Sequence, residues 1–275
     1  MSRGKNRPLP AREPPPAVRP GDTVGIVAPA GPVDPQRLEA GIARLRQKGY
    51  RVKMGRYVYK RDGFFAGTDR QRAEDLCRML EDPAVGAVFC ARGGYGSQRL
   101  LPLIAPLMQR FSPKSVIGYS DVTALHCLLL RAGWQSWHGP MAGDGQVQRD
   151  GGFSFDLLLA LLAGETTVVI PLPPGARLET LHPGTARGPL VGGNLSLLAA
   201  LLGSPYEVPT EGAILFLEDV GEAPYRIDRM LSSLSLAGKL APLRGVILGE
   251  FTDCMPPPGA PLVTVDEVLS AHFAG

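Results

Sequence analysis

Apolar residues along the chain fall into short continuous runs separated by stretches with helical spacing. The run Thr23-Val24-Gly25-Ile26-Val27-Ala28 has the form of a parallel strand covered on both faces, since such strands lose the apolar-polar alternation of a one-sided sheet. It ends in Pro29-Ala30-Gly31-Pro32, and a helix is predicted next: Asp34 suits the N-cap, Pro35 the first turn, Leu38, Ile42 and Leu45 share a face, and Gly49 closes the segment. A strand over 50–54, a helix over 69–80 capped by Thr68 and a strand over 85–91 follow. Beyond Arg92-Gly93-Gly94-Tyr95-Gly96 the pattern predicts a helix over 97–104, a strand over 115–118 and a helix over 121–131.

This alternation predicts an α/β fold over 21–150, an N-terminal parallel sheet with helices on both faces of the Rossmann or flavodoxin-like kind. After Trp137-His138-Gly139-Pro140 regularity fades, and 151–187, with an apolar helix over 155–162 and Pro171-Leu172-Pro173-Pro174-Gly175, is expected to be a linker. Alternation resumes with a strand entering Val191-Gly192-Gly193-Asn194, a helix over 195–202, a strand over 213–217, a helix over 225–236 and a strand over 246–249. A last helix opens with Thr264 and Glu267 in a capping box. Residues 188–275 are therefore expected to form a smaller C-terminal α/β domain.

Composition narrows the function classes. The net charge is +3, but residues 1–20 hold five basic side chains against Glu13 alone, so the remainder is close to −1 and has no concentrated basic face for nucleic acid. The same twenty residues contain six prolines and no apolar run, which predicts a flexible basic tail rather than a signal peptide. The apolar stretch Leu157 to Ala163 stops at Gly164, well short of the roughly 18–20 residues of a membrane helix. A soluble, cytoplasmic protein with no membrane partner is expected. Cys77, Cys90, Cys127 and Cys254 form no CxxC pair and are expected to be reduced, buried thiols.

Ligands of open α/β sheets bind beyond the carboxyl ends of the strands, where two loops of the first domain draw attention. In Arg92-Gly93-Gly94-Tyr95-Gly96, three glycines let backbone N–H groups approach an anion or a developing oxyanion. In Gly118-Tyr119-Ser120-Asp121, a serine stands at a strand-to-helix turn, the position of a nucleophile elbow, although the second glycine of Gly-x-Ser-x-Gly is absent. A serine here also suits a helix cap, and glycine loops also cradle phosphates. The dinucleotide fingerprint is missing after the first strand, as is any Gly-Lys-Ser/Thr. Glu218 and Asp219 end an apolar strand, either at a site or at a solvated strand end; Glu222 and Arg226 form a surface pair. Among the histidines, His126 reads as a core residue, His138 ends a strand, His182 lies in a loop and His272 on the last helix. No pair has metal-ligand spacing, so neither metal nor cofactor is expected.

Taken together, several segments resemble one family, the LD-carboxypeptidase and microcin-immunity serine peptidases. They are Gly21 to Ala30, Ala91-Arg92-Gly93-Gly94-Tyr95-Gly96, Ile117 to Leu125, Trp137-His138-Gly139-Pro140-Met141, Leu190 to Leu195, Phe216-Leu217-Glu218-Asp219-Val220 and Gly249 to Cys254. The resemblance implies a metal-free Ser-Glu-His triad in a two-domain homodimer, with Ser120 as nucleophile and Glu218 as charge-relay carboxylate. It further implies oxyanion donors in the Gly93-Gly94 turn and the N–H of Asp121. The implied substrate is murein tetrapeptide, cut before its terminal D-alanine during wall recycling. The resemblance places the triad histidine in a Gly-His motif after a strand that follows the last helix, and His272, on that helix and without a preceding glycine, does not match. The resemblance thus leaves the C-terminal domain without its final strand and the histidine unassigned. It admits an active enzyme read from a shortened sequence, a relative with another base, or a catalytically impaired peptide-binding relative. An amidase acting on acyl-adenylate antibiotics is the nearest enzymatic variant.

Overall fold

The computed structural model describes residues 14–143, 145, 150–165, 169, 171–173, 175–259 and 261–274. The chain divides into two compact units, one within 10–176 and the other within 177–275. The first is built on five parallel strands, β1 (Thr23–Val27), β2 (Arg51–Met54), β3 (Val85–Cys90), β4 (Ser115–Gly118) and β5 (Trp137–His138), in the order β2-β1-β3-β4-β5. Its helices are α1 (Pro35–Gln47), α2 (Asp69–Glu81), α3 (Leu101–Ile104), α4 (Thr123–Arg131) and α5 (Phe153–Leu162).

Successive side chains of a strand point to opposite faces, and helices cover both. Val24 and Ile26 of β1, with Ala87 and Phe89 of β3, share a buried cluster with Leu38, Ile42 and Leu45 of α1 and with Phe155, Leu158 and Leu162 of α5. Gly25 faces the other way, where a Cβ would lie 2.8 Å from Met79 Sδ on α2, so the close approach of that helix depends on glycine. Helix starts follow the expected chemistry. Asp34 accepts the N–H groups of Gln36 and Arg37, and Thr68 forms a reciprocal capping box with Gln71.

Four expectations need revision. The helix expected over 97–104 is a 3-10 turn (Ser97–Leu100), one α turn (α3) and a second 3-10 segment (Ala105–Arg110). Pro102 has no N–H to return to the carbonyl of Gln98, so a continuous α-helix from Ser97 would lose a bond there. The segment expected to be helical from 121 begins as a 3-10 turn, Ser120–Val122, with α4 starting at Thr123. Helix α5, expected within a linker, lies in the core of the first unit, because its Phe155, Leu158, Leu159 and Leu162 are apolar enough to be buried there. Nor are the last residues of the expected tail free: Val18 is 1% exposed and donates its N–H to Leu162 O at 2.7 Å. Most of the tail, residues 1–13, lies outside the described residues.

The second unit holds three parallel strands, β6 (Leu190–Asn194), β7 (Ile214–Val220) and β8 (Gly245–Thr252), in the order β6-β7-β8, with α6 (Leu195–Ala200), α7 (Pro224–Leu236) and α8 (Val265–Phe273). Leu195, Leu198, Leu215, Leu217, Ile227, Leu231 and Leu234 are fully buried, each contributing about 1.5–3 kcal/mol of apolar transfer. Strand β7 continues through Glu218 and Asp219 to Val220, so the two carboxylates lie inside the strand rather than beyond it. His272 on α8 pairs with Asp228 on α7 at 2.9 Å. All four cysteines are free, and no helix among the described residues is long and apolar enough to cross a membrane.

Candidate active site

In a sheet of order β2-β1-β3-β4-β5 the chain reverses its winding direction between β1 and β3, and the loops leaving these strands part to form a crevice. Here the loops after β1, β3 and β4 meet. Gly31, after β1, donates its N–H to Gly93 O, after β3, at 3.0 Å. Gly93 in turn lies against the turn after β4: a Cβ built on it would be 3.1 Å from Ser120 Cβ and 3.2 Å from Ser120 Oγ. Three sequence-predicted residues, Gly93, Ser120 and Asp121, are thereby brought together, with Gly94 beside Gly31.

Ser120 itself is held at φ 59°; among the described residues Asp253 is the one other non-glycine residue with positive φ. Left-handed backbone costs an L-residue about 1–2 kcal/mol, so such a turn persists where its surroundings enforce it. The enforcement comes partly from Asp121. It is 1% exposed, and its carboxylate accepts Gly96 N–H at 3.3 Å and Ser97 N–H at 2.8 Å, fastening the glycine-rich loop to the residue after the serine. Sequence reasoning assigned Asp121 a backbone role alone; nothing in the local pattern marks its side chain as a clamp.

His126 is the core residue expected. Its Nε2 donates to Gly118 O at 2.8 Å and its Nδ1 meets Ser136 Oγ at 2.9 Å, while burial pushes its pKa down to about 4. His138 stands opposite Gly118 at the end of the edge strand β5, its ring 5.9 Å from that of Tyr119. Arg92 is exposed and donates to Pro32 O at 2.7 Å, and Arg226 forms the expected surface pair with Glu222 at 3.5 Å. Among the described residues no group of three His, Cys, Asp or Glu side chains could hold a metal ion.

In the second unit, strand alternation separates the two neighbouring carboxylates. Asp219 turns inward with Leu215 and Leu217 and is 3% exposed; it accepts from Asn194 Nδ2 at 2.9 Å, from Ser196 N–H at 2.9 Å and from Ser196 Oγ at 2.7 Å, tying the start of α6 to β7. Glu218 points to the opposite face, half-buried. Burial and the neighbouring charge of Asp219 raise its pKa to about 7, against a hydrogen bond from Asn194. Opposite Glu218 the register of β8 slips, from Leu217 facing Leu248 to Asp219 facing Phe251, so β8 carries an extra residue. Bulges of this kind commonly re-aim side chains beside functional sites.

Comparison with known proteins decides the family. The LD-carboxypeptidase N-terminal domain matches residues 24–139, and the LD-carboxypeptidase C-terminal domain matches residues 187–275. The chain belongs to the LD-carboxypeptidase family. Among LD-carboxypeptidase relatives, the probable murein peptide carboxypeptidase of Bacillus subtilis is 40% identical over 264 residues, covering 94% of this chain and 81% of that protein. The crystal structure of a muramoyltetrapeptide carboxypeptidase from Oxalobacter formigenes is similar with a TM-score of 0.78 at 31% identity, over 90% of this chain and 83% of the other. MccF, solved in complex with glutamyl sulfamoyl guanosine, shares the fold with a TM-score of 0.80 at 24% identity, over 96% of this chain and 86% of its own.

Proposed function

We propose that the protein is a serine LD-carboxypeptidase that removes the terminal D-alanine of murein tetrapeptide in the cytoplasm during peptidoglycan recycling, acting as a homodimer. The observation that carries this reading is Ser120 at φ 59°, with its Oγ against the Gly93 turn. The names of the relatives, murein peptide and muramoyltetrapeptide carboxypeptidases, support the substrate class.

In this reading Ser120 Oγ yields its proton to a base and attacks the carbonyl carbon before D-alanine. The oxyanion that develops accepts backbone N–H groups of the Gly93-Gly94 turn and of Asp121, donors fixed before the reaction starts. Collapse releases D-alanine with the proton and leaves the peptide esterified on Ser120, which water then hydrolyses. Glu218, which the family resemblance casts as the charge-relay carboxylate, orients the base and stabilises its cationic form. His126 and His272 are already engaged, by Gly118 and Asp228 respectively, and are not assigned as that base.

The test is release of D-alanine from purified murein tetrapeptide by the protein expressed from its whole reading frame. Release by the wild type and none by Ser120→Ala supports the reading; release undiminished in Ser120→Ala overturns it. Turnover of an acyl-adenylate but not of tetrapeptide would replace the substrate, and tight tetrapeptide binding with no turnover would mark a binding protein.

A further inference from the structure

Arg72, on α2 in the run Asp69-Arg70-Gln71-Arg72, is 1% exposed. Its guanidinium reaches three stretches of backbone. Nη1 donates to Pro29 O in the loop after β1 and to Gly96 O, at 3.0 Å, in the glycine-rich loop after β3; Nε donates to Gly67 O at 3.2 Å. Nη2 pairs with Asp69, and the guanidinium lies 4.8 Å from the centre of the Phe65 ring.

Gly96 is therefore held on both sides of its Cα, its carbonyl by Arg72 and its N–H by Asp121, the neighbour of Ser120. Gly96 sits at φ 125°, and a Cβ there would fall 2.7 Å from Phe65 Cδ1 and 2.8 Å from Arg72 Nη1, so the loop is shaped to lie on the guanidinium. Burying a cation is expensive, and an apolar side chain of similar size often stabilises a fold more. What an apolar residue cannot do is donate to several carbonyls at fixed angles, which the planar five-donor guanidinium does and the point charge of lysine does not.

We propose that Arg72 is a positioning residue for the LD-carboxypeptidase site, setting the glycine-rich loop in register with Ser120 so that its N–H groups meet the oxyanion. This rests on the reading of Ser120 as nucleophile. A misplacement of about 1 Å at a reacting centre costs on the order of 10²-fold in rate.

The experiment compares wild type, Arg72→Lys, Arg72→Ala and Asp69→Asn for kcat and KM of D-alanine release and for the rate at which a fluorophosphonate labels Ser120. Expected are a kcat lower by about 10²-fold in Arg72→Lys with KM within about threefold, labelling slowed in parallel, and recovery of Arg72→Ala by millimolar guanidinium. A merely structural arginine would lower the melting temperature without this split between kcat and KM. Folded Arg72→Lys with wild-type kcat overturns the proposal. Should the Arg72 variants not fold, Asp69→Asn decides: a kcat about tenfold lower at constant KM supports it, and an unchanged kcat overturns it. Failure of the Ser120 reading shows separately, as a wild type that neither releases D-alanine nor is labelled, and it removes this proposal too.

Discussion

Gly93 and Ser120 stand so close that a Cβ on the glycine would lie 3.2 Å from the serine Oγ, although they belong to loops after different strands. Gly93 is not held at positive φ, so alanine can adopt its backbone and the added methyl acts mainly by crowding the hydroxyl. Gly93→Ala is expected to lower kcat by about 10²-fold through misorientation of Oγ while changing stability by about 1 kcal/mol or less. Steady-state kinetics beside urea unfolding checks this; an unchanged kcat would remove the glycine from the site.

Ser120 at φ 59° predicts an activity–stability trade. Ser120→Ala and Ser120→Gly both remove the hydroxyl and should lower D-alanine release by at least about 10³-fold. Glycine alone also relieves the left-handed backbone, so Ser120→Gly should exceed Ser120→Ala in stability by about 1 kcal/mol, or roughly 2–4 °C in Tm. Equal melting temperatures for the pair would argue against strain at the turn.

The raised pKa of Glu218, about 7 against an ordinary 4.5, fixes the sign of a pH effect. Between these values the folded protein keeps a proton that the unfolded chain releases, so stability falls as pH rises through the window and stays lower above it. Glu218→Gln should therefore be more stable than wild type at pH 8, by up to about 3 kcal/mol, and no different near pH 4, while losing activity. Denaturant titrations at the two pH values measure the difference, and a gain present at pH 4 as well would contradict it.

His126 acts in the opposite sense. Its pKa falls from 6.5 to about 4 because burial disfavours the imidazolium. As pH drops through that interval the unfolded chain takes up a proton that the folded state refuses, and stability declines by up to about 3 kcal/mol. His126→Gln, which retains a donor for Gly118 O, should flatten the acid side of the stability profile below pH 6.5. Unfolding followed from pH 7 to pH 4 tests it; an acid limb of unchanged slope would assign the effect elsewhere.

Much of the architecture was legible because it rests on local rules. Parallel strands covered on both faces must be nearly all apolar, so β1, β3 and β4 stand out as runs, and caps such as Asp34, Thr68 and Thr264 mark helix starts by satisfying N–H groups within a few residues. The segment 97–104 differs from the single helix expected of it, although Pro102 carried the signal against one. The place of α5 was not legible, since an apolar stripe states that a helix will be buried and not which sheet will bury it.

Ser120, Glu218 and the glycine-rich loop stood out locally only as candidates, since a helix cap, a solvated strand end and a phosphate cradle give the same patterns; the family resemblance is what casts Ser120 as nucleophile and Glu218 as carboxylate. The sequence alone thus determined the element order, the α/β class and the candidate groups of the site. Tertiary structure decided what each group does. It sent Asp219 into hydrogen bonds with Asn194 and Ser196 while Glu218 took the other face, made Asp121 a clamp, and buried Arg72 beneath loops more than twenty residues away in sequence. These assignments depend on which carbonyls and N–H groups from distant strands converge on one side chain, and that convergence exists only once the strands have paired in the order β2-β1-β3-β4-β5.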